Sequence, residues 1–176
     1  MEILKLEIEN ATDPEIGRWL NGLQLIRQKT IRTVESCSLE CLEWEGPNGE
    51  DNSISGLLAH LSRVEMAWLY MDMLGVEIPA EVAALHPYPS REDSGRIFPV
   101  KGIDVESHLQ RLEQTRQIFL EEMRKVSVEE WRRLRLPVDG PKYEVTPEWI
   151  VFHLIEHEAG HNAQMSSMKA RWEREK

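Results

Sequence analysis

Residues 13–34 read DPEIGRWLNGLQLIRQKTIRTV, and both the opening and the period of this string specify a helix. Asp13 offers a side-chain acceptor at the cap. Pro14 lacks only an N–H that a first helical turn leaves unpaired, and Glu15 sets a negative charge at the positive end of the helix dipole. Ile16, Trp19, Leu20, Leu23, Ile26, Thr30, Ile31 and Val34 then recur at steps of three and four, which draws one apolar stripe that a partner must cover.

The same grammar recurs along the chain. Thr146-Pro147-Glu148 opens a last helix as Asp13-Pro14-Glu15 opens the first, and Ile150, Leu154, Met165, Met168 and Trp172 carry its stripe almost to Lys176. Residues 45–52 are turn chemistry, after which Asn52 or Ser53 caps a second helix with Ile54, Leu57, Leu58, Leu61, Val64, Trp68 and Met71 on one side, ending near Gly75. Asp104 caps a third, with Val105, Leu109, Leu112, Phe119, Met123 and Val126 in register. Ser127 to Glu130 forms a capping box for a short helix through Leu134, and a loop with Pro137, Gly140 and Pro141 follows. Between Gly75 and Gly102 the period disappears and Pro79, Pro87, Pro89 and Pro99 accumulate, so a long ordered crossover is expected, packed on the helices and covering a site. No strand pattern of useful length and no internal repeat occurs. The expected fold is all-α: one domain, residues 1–176, an up-and-down antiparallel four-helix bundle with a long crossover loop between helices two and three.

Composition agrees and narrows the function. The chain has 176 residues, 41% hydrophobic and 30% charged, enough to bury one core without disulfides. Its formal charge of −10 argues against nucleic acid and anionic membrane surfaces as partners. Met1 to Asn10 lacks the basic start and apolar run of a signal peptide, no later run is long enough to span a membrane, and a cytoplasmic protein is expected. Cys37 and Cys41 are the only thiols. They are expected reduced, and Ser36, Ser38 and Glu40 around them suggest a frayed helix end rather than a metal pair.

The chemistry lies in the histidines. His153, His157 and His161 repeat every four residues and form one stripe, each a turn above the last. The outer two are about 12 Å apart along the axis, so one ion can take two neighbours but not all three. A pair is a weak site, and a third ligand must come from another helix. His60 fits that need: it sits at the edge of the second helix's apolar stripe, where an unpaired imidazole is costly to bury. His86 lies in the proline-rich loop, and His108, beside Ser107 at a helix start, is expected to be exposed.

His157-Glu158-Ala159-Gly160-His161 is also a literal HExxH, which in zinc proteases supplies two ligands and a general base. Against that reading, Gln164 and Ser167 stand where the extended metzincin motif needs Gly and His, and no strand lines a substrate.

A second pattern spans nearly the whole chain. Asn52-Ser53-Ile54 leading to Leu57-Leu58-Ala59-His60, with Glu65 and Trp68 in the same helix, followed by His153, His157-Glu158, His161 and Gln164, resembles the DinB-like superfamily. One departure is Asn162-Ala163-Gln164, where many relatives carry Arg-Gly-Gln. The resemblance implies a divalent ion, zinc or nickel, on His60, His157 and His161. It also implies a small-molecule substrate and a low-molecular-weight thiol, since relatives include bacillithiol S-transferases and mycothiol-dependent isomerases. A metal-dependent thiol S-transferase is therefore the leading expectation. The alternatives are a hydrolase with metal-bound water and Glu158 as base, and a non-catalytic metal module that pairs with itself, a homodimer being compatible with either. Glu65 and Glu158 are candidate catalytic groups, to be weighed against plain solvated helix charges. His153, Gln164 and Trp68 are candidate pocket or supporting residues, with Trp68 and Trp149 expected mainly in the core.

Overall fold

The computed structural model describes residues 5–8, 10–140 and 142–175. Residues 1–4, Glu9, Pro141 and Lys176 fall outside them, so the reading of Met1 to Asn10 lies largely outside the described residues. The described residues are helical, with two isolated bridges, Arg91 to Ile97 and Arg135 to Val145, in place of any sheet. The helices are α1 (Pro14–Val34), α2 (Leu39–Glu43), α3 (Ile54–Ala67), α4 (Ala80–Ala83), α5 (Val105–Met123), α6 (Val128–Trp131) and α7 (Pro147–Glu175). A π-helical turn, Trp68–Leu74, extends α3 to Gly75, whose φ of +66° ends it.

The caps fall where the side chains place them. Asp13 accepts from Glu15 N, Ser53 from Gly56 N, Asp104 from Ser107 N and Ser127 from Glu130 N. Residues 37–41 are not a frayed end: Ser38 caps the short α2, and Cys37 and Cys41 are free and buried beneath it.

Pairs of touching residues give the helix directions. Arg27 of α1 reaches the Leu112 carbonyl of α5 and Arg116 of α5 reaches the Leu23 carbonyl, so these two run antiparallel. Trp19 meets Phe152 and Lys169 meets the Thr33 carbonyl, so α1 and α7 run parallel. His60 faces His157 and His161 while Trp68 faces Trp149, so α3 and α7 are antiparallel. Ser55 meets His108 and Glu65 meets Arg116, which makes α3 and α5 parallel. The order is up, down, down, up, and this corrects the strict alternation expected at the step between the second and third long helices. A short hairpin would have forced α5 antiparallel to α3. The crossover instead carries the chain back along α3, where Arg63 holds the His86 and Tyr88 carbonyls, Asn52 accepts from Ile97 N, and Lys101 reaches the Glu43 carbonyl.

The π turn corrects a second expectation. Trp68 and Met71 were expected on the core face, yet Leu69 and Met73 are buried and Trp68 and Met71 are only half-buried. A π-helix takes more residues per turn than an α-helix, so the buried stripe slips by one position and Trp68 turns toward α7.

Two apolar clusters fill the interior. One gathers Leu20, Leu23, Leu69, Phe119, Trp131 and Leu154, the other Val34, Leu42, Leu57, Leu61, Leu112 and Met165. Between them lies a layer of four buried charges, one from each long helix.

Candidate metal centre

His60 on α3 and His157 and His161 on α7 form a group whose ligand atoms all lie within 4.8 Å of one another. The i, i+4 spacing on α7 sets two imidazoles edge to face, with ring centroids 4.4 Å apart, and antiparallel α3 brings His60 to 5.2 Å from each. His157 Nε2 and His161 Nε2 are 3.0 Å apart. Two nitrogens on one tetrahedral ion at zinc-like bond lengths stand about 3.3 Å apart, so the His157–His161 pair has a spacing suited to such an ion, with His60 within 4.8 Å of both. His60 is 6% exposed, and its Nδ1 is buried without a hydrogen-bond partner.

Electrostatics keep these rings in the form that binds metal. Burial, then His161, Arg91 and Arg63 nearby, push His60 down to about 4. Burial and the neighbouring histidines push His157 down to about 3, and burial lowers His161 as well. All three shifts favour the neutral ring. Gln164 is exposed but useful, because its Oε1 accepts from His161 Nδ1 at 3.0 Å. That bond leaves the His161 Nε2 lone pair free and fixes the ring's orientation.

His153 does not join the group. It stacks on Trp149, with centroids 4.9 Å apart and planes at 6°, and meets Trp68 edge-on, which places it 5.8 Å from His157 as an aromatic wall. Trp149 is 45% exposed and Trp68 half-buried, so neither is the core residue expected. Tyr143, whose hydroxyl donates to Asp72, completes this aromatic cluster against Trp68.

Glu65 and Glu158 are neither solvated nor directed at the three histidines. Each is 2% exposed and enclosed by Arg27 and Arg116, two residues that sequence reasoning missed. Arg27 reaches Glu158 at 2.7 Å and Glu65 at 3.1 Å, and Arg116 reaches Glu158 at 2.9 Å and also grips Glu65. Burial raises the Glu158 carboxyl, but the two guanidiniums outweigh it and hold it below the usual range. Both Glu158 oxygens are engaged by arginines, so this candidate base is tied into the ionic layer rather than facing the histidines. The helix explains this: a position next to a ligand is rotated by about 100° from it, here into the core.

His108 corrects another expectation. It is 1% exposed, with Nε2 2.8 Å from Ser55 Oγ, because α5 packs its first turns against α3. His86 is half-buried and shares its Nε2 with Ser62 Oγ.

Comparison with known proteins agrees with this architecture. The chain is 22% identical over 172 residues to Uncharacterized protein YkkA of Bacillus subtilis (strain 168), an alignment covering 97% of this chain and 95% of that protein. Residues 23–165, which include all three clustered histidines and all four buried charges, match the sequence profile of the DinB superfamily. The chain belongs to the DinB superfamily.

Proposed function

We propose that the protein is a metal-dependent enzyme that transfers a low-molecular-weight thiol to a small electrophilic substrate, using a zinc- or nickel-type ion on His60, His157 and His161. The observation that carries this reading is the group of three neutral imidazoles on two helices, which no fourth His, Cys, Asp or Glu joins among the described residues. Three protein ligands leave a position for an exogenous one, as catalytic sites do and closed structural sites do not. An ion held there lowers the pKa of a bound thiol enough to give thiolate at neutral pH.

The rest of the chain supplies positioning. Gln164 orients His161, while Trp68, Trp149 and His153 wall one side of the approach. The protein's own thiols are poorly suited to the reaction. Burial pushes Cys37 up and Cys41 up to about 12, and neither belongs to the three-histidine group, so an external thiol is required. Hydrolysis with Glu158 as base is disfavoured by the two arginines on that carboxylate. A homodimer remains part of the proposal, with the exposed Trp149 and Phe152 of α7 available for a second copy.

The test is transfer itself. Metal-loaded protein is mixed with a small thiol and an aryl halide, so that a C–S bond forms as halide and a proton leave, and thiol loss is followed. Turnover above buffer that falls at least tenfold in His60→Ala, His157→Ala and His161→Ala supports the reading. Rates equal in wild type and all three variants contradict it and favour a non-catalytic metal module.

A further inference from the structure

Most arginines with a structural role here meet a carboxylate: Arg96, Arg132, Arg135 and Arg171 do so at or near the surface, and Arg27 and Arg116 in the core. Three arginines on the His60 side of the centre do not. Arg63 on α3, Arg91 in the crossover and Arg111 on α5 form no ion pair among the described residues, although acidic residues outnumber basic ones by 31 to 21. Local positive charge in a chain of net charge −10 is a feature of placement rather than of composition.

Arg63 and Arg111 share a narrow cleft between α3, α5 and the crossover, lined also by His60, His86 and Tyr88, and no acid is among its lining residues. Arg63 is anchored by donating Nη1 to the His86 and Tyr88 carbonyls at 3.3 and 3.0 Å. Arg111 Nη1 lies 3.4 Å from His108 Nδ1, so the guanidinium is held from α5 while His108 is held by Ser55. Asp104, the acid whose charge reaches His108, is engaged as the α5 cap. Two half-buried guanidiniums on one cleft with no acid in its lining suit a planar or tetrahedral oxyanion, for which the Nε and Nη2 donors of each are left after Nη1 is engaged.

We propose that this cleft, walled by Arg63 and Arg111 and opening beside His60, binds a small oxyanion, carboxylate or phosphate, carried by the substrate of the neighbouring centre. That the anion belongs to a substrate rests on the metal-enzyme reading; that the cleft binds an anion does not. Arg91, whose charge reaches both His60 and His161, adds to the attraction on the centre's side. The substrate class that follows is an acidic small molecule, held by its anionic group while its reactive carbon faces the histidines.

Calorimetric titration of inorganic phosphate and, separately, succinate into the full chain tests this, each with and without EDTA. The expected result is saturable binding of at least one, unchanged by EDTA and by Arg171→Gln, weakened at least tenfold in Arg111→Gln and within about threefold of wild type in Arg111→Lys. Succinate alone saturating assigns a carboxylate, and phosphate alone assigns a phosphate ester. Arg63→Gln should weaken binding similarly, and Arg111→Gln decides the matter if loss of the Arg63 anchors unfolds the crossover. No saturation by either anion, or binding that survives Arg111→Gln, overturns the proposal. So does binding that EDTA abolishes, since the anion would then sit on metal. Anion binding by a chain that holds no metal would leave the cleft standing and remove the metal reading, so the two fail separately.

Discussion

Glu158 stands next to His157 in sequence, yet the two side chains belong to different parts of the protein: one faces the three-histidine group and the other an ionic layer at the centre of the core. The layer is neutral as a whole, two arginines against two glutamates, and every member is nearly inaccessible. Breaking one partner of such a set strands a buried charge, at a cost of about 3–5 kcal/mol. Arg116→Leu is therefore expected to lower unfolding free energy by about that amount in urea titration, and a loss under 1 kcal/mol would show the layer to be solvated. The histidine stripe was legible from spacing alone. The layer was not, because one charged residue in a helix reads as surface. Its signal was register: Arg27 follows Leu23 by four, Glu65 follows Leu61, Arg116 follows Leu112 and Glu158 follows Leu154, so each long helix carries one charge on its core face.

At the scale of elements, caps and prolines marked the helix starts well because each is a local hydrogen-bond requirement. Ser53→Ala should cost about 1 kcal/mol by leaving Gly56 N unpaired, readable as a shift in denaturation midpoint. What sequence could not show was the π turn after Ala67 and the path of the crossover, both set by packing. The crossover closes on α3 so tightly that a Cβ at Gly56 would stand 2.8 Å from the Phe98 carbonyl oxygen. Alanine favours helix over glycine by about 1 kcal/mol, but here backbone must move to admit the methyl group. Gly56→Ala is thus expected to destabilise by about 1–3 kcal/mol and to speed proteolysis within residues 76–103. Unchanged cleavage with raised stability would show that the crossover is not seated there.

The whole molecule is organised by the crossover's return. Because α5 starts again beside the start of α3, His108 is buried against Ser55 rather than left at an open helix end, and no local pattern foretold this. Burial, then Arg111, push His108 down to about 4 in the folded protein from an ordinary value of 6.5. The folded pKa is depressed, so between about pH 6.5 and 4 the unfolded chain binds a proton that the folded chain refuses. Stability is full above that window and falls as pH drops through it, by about 1.4 kcal/mol per pH unit for this group. Comparison of wild type with His108→Asn should show the variant's stability falling less steeply across the window. Identical slopes would place His108 in solvent.

The three-histidine centre joins α3 to α7, the antiparallel pair on the opposite side of the bundle from α1 and α5, and on it the functional account depends. The direct measurement is metal content by elemental mass spectrometry of tag-free protein, wild type beside His60→Ala, His157→Ala, His161→Ala and His153→Ala. About one zinc or nickel per chain is expected in wild type and in His153→Ala, and little in the other three. A wild-type protein that retains no divalent ion when supplied with one, or variants that all retain it, would show that the three histidines do not hold a metal.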